Sequence, residues 1–152
     1  MTQLWDGIGN AQLFDRGKYF TDGFNGLVEV RRTLAKATRA SGLAFIVEMV
    51  VVETNLPEKH PVGWTGSWFQ KMTDKDVAFS AILAWAAAMC GFSVTQRQEI
   101  DQQLKPHLQE IMTNATNNPE TNPFVGKRVR LECTQKKTKN DRDFTRYDFS
   151  PA

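Results

Sequence analysis

The chain has 152 residues, of which 41% are hydrophobic, 24% charged and 11% aromatic. That length supports one domain whose core needs no disulfide or metal, and the composition excludes wholesale disorder and collagen-like repeats. A formal charge of +2 is too small by itself to imply a nucleic-acid partner.

Residues 1–25 mix Gly, Asp and Asn with scattered aromatics and keep no sustained period, which reads as an irregular arm ahead of a domain over 26–152. From Gly26 the pattern becomes LVEVRRTLAK, with Val28, Val30 and Leu34 on one face and Leu27, Glu29, Arg31 and Thr33 on the other. This period of two predicts a half-buried first strand. After the polar break ATRASG, the dense β-branched run LAFIVEMVVVET predicts a second strand, expected to be the central one. NLPEKHP is loop chemistry, and VGWTGSWFQKM resumes as a bent third strand.

Thr73 followed by Asp76 suggests a helix cap, and Val77, Ile82, Trp85, Ala86 and Met89 sit near helical spacing until Gly91. Thr95 and Gln98 repeat the capping signature before a stripe of Ile100, Leu104, Leu108 and Ile111. Pro106 inside that stripe predicts a kink or split. The helical insertion therefore spans about 74–116. A fourth strand is expected from about Phe124, where Val125, Val129, Leu131 and Cys133 share a parity, and a fifth in DFTRYDF after the turn KKTKNDRD.

Three strands, a helical segment and two more strands make a mostly β, α+β chain in the order β-β-β-α(α)-β-β. That is the order of the five-stranded Greek-key barrel called the OB-fold, whose strand 1–2 and strand 4–5 loops border a nucleic-acid cleft. Those two connections carry Lys36 and Arg39, and Lys136, Lys137, Lys139 and Arg142. The chain also resembles the bacteriophage single-stranded DNA-binding proteins that use an OB-fold with an enlarged helical insertion. The marks of that resemblance are VGWTGSWFQKM leading into a helix and GKRVRLECTQKKTKNDRDFTRYDFSP as closing hairpin. The resemblance implies binding of single-stranded DNA during replication or recombination, with proteins of those processes as partners. It departs from many bacterial single-strand binders, which end in an acidic tail where this sequence ends DFSPA, so recruitment through such a tail is not expected.

Charge distribution supports the same reading. From Lys127 to Arg146 eight basic residues stand against three acidic ones, and TQKKTKNDRDFTRY sets Lys136, Lys137, Lys139, Arg142 and Arg146 around Phe144 and Tyr147. Cations along phosphates and flat rings under unstacked bases are what sequence-tolerant binding of a single strand requires. The plainer alternative is a solvated hairpin whose cations keep a sheet edge from aggregating. Trp64 and Trp68, four apart in the third strand, would share a face ~13 Å apart and offer a stacking platform. Thr65, Ser67 and Phe69 lie on the opposite face, and the sequence leaves open which set fills the core. Arg31, Arg32, Lys127, Arg128 and Arg130 rank second, as either an extended basic track or solubilising charge.

Other classes find less support. His60 and His107 have no paired carboxylate or nucleophile at motif spacing, no phosphate-binding glycine loop occurs, and Cys90 and Cys133 lack His partners at ligand spacing. No enzyme activity, metal or cofactor is expected. The longest apolar stretch, Val77 to Phe92, is too short to span a bilayer, and the amino terminus lacks a signal-peptide pattern, so a cytoplasmic location is expected, in the host if phage-encoded. Two further readings remain: an OB-type interaction module for an acidic protein, and an RNA-binding OB protein.

Overall fold

The computed structural model describes residues 19–38, 42–72, 74–93, 95–117, 122–137, 141 and 143–152. Five strands, β1 (Asn25–Thr38), β2 (Gly42–Glu53), β3 (Thr65–Lys71), β4 (Arg128–Lys137) and β5 (Asp143–Pro151), form one antiparallel sheet in the order β3-β2-β1-β4-β5. Between β3 and β4 lie α1 (Lys75–Met89), a short α2 (Arg97–Glu99), a π-helical turn (Ile100–Leu104) and α3 (Lys105–Asn117). The expected element order is present. The sheet is open, however: no ladder joins β3 to β5 among the described residues.

The centre of the sheet is β1 and not the more apolar β2, because β1 pairs on one side with β2 and on the other with β4. Its alternation also breaks. The register with β2 skips Arg31, so a β-bulge there reverses the parity. Val28 and Val30 point into the core before it, and Thr33, rather than Leu34, is buried after it. The Thr33 hydroxyl donates to the Ala115 carbonyl at 3.2 Å and accepts from Asn122 Nδ2 at 2.7 Å, which ties the strand to the end of α3.

Asp74 caps α1, its Oδ1 accepting from the N–H groups of Asp76 and Val77 at 3.1 and 3.2 Å. Thr73, the expected cap, lies outside the described residues. The helix ends as the glycine predicts. Gly91 takes φ +87, and paired bonds from Gly91 N–H to Ala88 O and from Phe92 N–H to Ala87 O satisfy the last carbonyls. Pro106 acts one turn upstream of itself. It lacks an N–H and its ring crowds the carbonyl four residues back, and the wider turn before it carries an i to i−5 bond from Lys105 N–H to Ile100 O.

The core lies between the sheet's inner face and α1. Trp85, fully buried, meets Phe124 at 4.6 Å, Phe45 at 5.5 Å and Trp68 at 6.2 Å between ring centroids. Phe124 reaches this core from a turn, not from β4, which begins at Arg128. Gly126 at φ +85 makes that turn while its N–H and the Lys127 carbonyl still bond to Val30.

Of the stretch read as an arm, Tyr19 to Phe24 is stitched into the sheet, and residues 1–18 lie outside the described residues. Tyr19 bridges Ser67 of β3, Gly23 and Phe24 exchange backbone bonds with Cys133 of β4, and the Tyr147 hydroxyl of β5 donates to the Phe20 carbonyl at 3.0 Å. This strap occupies one end of the gap between the two edge strands. On the inner side, Trp68 and Phe149 meet across the same gap at 4.9 Å.

His60 anchors the strap from the β2–β3 loop. It is buried, its Nε2 accepts from the Thr21 N–H at 3.1 Å, and its ring packs on Trp64 at 4.2 Å. Burial, and then the neighbouring Lys59 charge, lower its pKa from the ordinary 6.5. Protonation would place an N–H where Nε2 now accepts. The unfolded chain takes up the proton first, so this contribution to stability is complete above about pH 6.5 and declines as the pH falls through the lower folded value. The melting temperature is expected to drop between pH 7 and pH 5.5, and His60→Gln to flatten that slope. An identical slope in the variant would remove His60 as its source.

Candidate nucleic-acid interface

Two surfaces present the residue types that a single strand requires. The first is the β4–β5 hairpin, where antiparallel register sets Lys136 opposite Phe144, Thr134 opposite Arg146 and Lys137 opposite Asp143. Lys136, Lys137, Phe144 and Arg146 are all exposed there, Phe144 at 45%. Not every charge is free. Lys137 Nζ lies 3.4 Å from Asp141 and Arg146 Nε lies 3.0 Å from Asp148, whereas Lys136 makes no ion pair among the described residues.

The second is the outer face of β1, β2 and β3, where cross-strand rows align Leu34, Ile46 and Phe69, and then Arg32, Glu48 and Ser67. Phe69 and Ile46 are half-buried, so a partly apolar shelf lies beside polar groups. The second-rank arginines are consumed by ion pairs. Arg32 meets Glu48 at 2.9 Å, Arg31 and Arg128 share Glu29 at 3.6 and 3.3 Å, and Arg130 meets Glu53 at 3.7 Å. Exposed pairs of this kind contribute little stability. They do lower the positive field that the sequence suggests along β1 and β4.

The two tryptophans leave the proposed platform. Trp68 is 7% exposed and points into the core between Phe45, Trp85 and Phe149. Trp64 precedes β3 and is half-buried, its ring packed on Phe20 and His60 over Gly66, whose missing Cβ leaves the room they use. The shared face expected of residues four apart is therefore the inner one. Phe69 of the opposite set takes the outer position.

Lys36 is placed by its backbone, opposite Ala44 of β2. Arg39, Lys139 and Arg142 lie outside the described residues. The structure thus brings together Lys136, Lys137, Phe144 and Arg146 from the expected set. Sequence reasoning passed over Tyr19 and Gln70, which line a cleft of ≈ 810 Å³ between β3 and β5 with Phe69, Phe144 and Arg146. No sequence signal points to Tyr19, because its partner lies 48 residues away in an isolated bridge.

Among the described residues, no group of three or more His, Cys, Asp or Glu could hold a metal ion. Burial, with the Asp148, Asp22 and Glu132 charges adding to it, pushes the Cys133 thiol up to about 12, so it stays protonated and inert. No helix is long and apolar enough to cross a membrane. No protein-family model matches the chain, and no curated protein is significantly similar to it.

Proposed function

We propose that the protein binds single-stranded DNA with little sequence preference and covers it during replication or recombination of a phage type, without catalysing a reaction. The observation that carries this reading is the strand order β3-β2-β1-β4-β5 with the helices between β3 and β4. That neighbour order corresponds to an OB barrel slit between β3 and β5, a fold that binds oligonucleotides on its strand 2–3 face and between its strand 1–2 and 4–5 loops. Here those places hold Phe69, Lys136 and Phe144. The location that goes with this reading is the cytoplasm, and its protein partners are those of replication or recombination.

The ion-pair ladder on β1, β2 and β4 favours one competing reading, an OB-type module that meets an acidic protein through its hairpin. Affinity for oligo-dT, duplex DNA and RNA as a function of salt separates the two. Tight binding of oligo-dT over duplex is expected, with a slope of log affinity against log salt of roughly −3 to −4, from about four to six phosphates at −0.7 each. Replacing Lys136, Lys137 and Lys139 together by Ala should flatten that slope and leave the melting temperature nearly unchanged. A flat slope in the unmutated protein, or equal affinity for duplex, would sink the DNA reading.

A further inference from the structure

Among the described residues β3 and β5 each have a strand ladder on one side only, and β3 adds the isolated bridge from Tyr19 to Ser67. Their inner side chains meet at Trp68 and Phe149, and the strap at Tyr19 and Phe20 fills one end of the gap. Past the strap the gap opens into the ≈ 810 Å³ cleft, within the size range of sites that take small aromatic ligands. From α1 the cleft is lined by Val77, Ser80, Ala81 and Ala84, the last three of them small side chains.

Its walls suit a nucleobase better than an aliphatic guest. Tyr19 and Phe144, 50% and 45% exposed, bring two rings to it, and Gln70 of β3 adds a side-chain amide whose Oε1 has no hydrogen-bond donor among the described residues. Charge complementarity argues for the same guest. Lys136, the cross-strand neighbour of Phe144, makes no ion pair among the described residues, so a nucleotide whose base meets Phe144 would have its phosphate beside a cation. An apolar peptide or lipid chain would offer Lys136 no anion.

We propose that the β3–β5 seam receives bases of the bound strand, one stacked on Phe144 with its phosphate toward Lys136, so that contact with bases occurs here and not only on the outer face of β2 and β3. This rests on the single-stranded DNA reading. The seam opens between the sheet's two edge strands beyond the Tyr19 bridge, where side chains of both strands reach a guest from opposite sides.

The test uses the full chain, oligo-dT, and an abasic oligonucleotide of equal length that keeps the phosphates and lacks the bases. Ala84→Phe fills the seam from α1 and leaves every hairpin cation in the sequence, and Phe144→Leu keeps apolar volume at an exposed site while removing the ring. Both are expected to weaken oligo-dT binding by about tenfold or more, the scale of one lost stack, and to leave abasic binding unchanged. If Ala84→Phe melts early, Phe144→Leu decides alone. Undiminished oligo-dT affinity in the folded variants, with the unmutated protein still binding, would overturn the seam and leave the functional reading standing. An unmutated protein that binds neither oligonucleotide would overturn both.

Discussion

Trp68→Ala is expected to cost about 3–5 kcal/mol of folding stability, the range for large aromatic deletions in cores. The side chain is 7% exposed and touches three aromatic rings: Phe45, Trp85 and Phe149. It also does more than fill volume. The contact with Phe149 joins β3 to β5, which no backbone ladder connects among the described residues, so its loss removes inner-side packing across the seam. Against a total stability of about 5–15 kcal/mol, the loss should lower the melting temperature by about 10 °C or more. Phe69→Ala, one residue along and facing outward, should cost much less. Thermal melts of the two variants check this, and a Trp68→Ala protein as stable as the unmutated chain would mean that β3 presents its other face to the core.

Much of this fold is legible in the sequence because its cues are local. Alternation in β4 and β5, the dense β-branched run of β2, Gly91 at the end of α1 and Pro106 in the second helical stretch each act within a few residues, and each marks its own element. The misses are non-local. An extra residue at Arg31 looks like ordinary strand sequence, yet it moves Thr33 into the core in place of Leu34 because the register with β2 shifts by one. Phe124 and Val125 belong to an apolar run with β4, but the glycine turn after them sends Phe124 inward and leaves Val125 47% exposed.

The candidate site divides in the same way. Lys136, Phe144 and Arg146 are adjacent through a hairpin that the turn residues announce, so the sequence brings them together correctly. The ion pairs that occupy Arg31, Arg32, Arg128 and Arg130 connect different strands, and their acids Glu29, Glu48 and Glu53 are neighbours only once the register is known. Counting bases along the chain therefore overstates the positive field. The parity of β3 was open in sequence between Trp68 and Phe69, and packing against Trp85 of α1 decides it.

Tyr147 and Phe144 separate stability from binding within one strand. Three apart in β5, they lie on opposite faces, and the half-buried Tyr147 packs edge-on against Phe20 at 6.2 Å while its hydroxyl donates to the Phe20 carbonyl. Burial first, then the Cys133 charge, drive its pKa upward, so the hydroxyl remains a donor at any working pH. Tyr147→Ala removes the ring and strands that carbonyl, for an expected loss of about 3–5 kcal/mol. Tyr147→Phe loses only the hydrogen bond and should cost about 0.5–1.5 kcal/mol. Thr145 shares the face of Tyr147 yet is exposed, because the hairpin runs out past the core at that end. Phe144, on the outward face beside Lys136, should cost little stability as Ala and about 1–3 kcal/mol of oligo-dT affinity. Melting temperatures and oligo-dT titrations of the three variants are the measurement. A Phe144→Ala protein that melts early and binds normally, with Tyr147→Ala doing the reverse, would mean that β5 turns its other face to the strand.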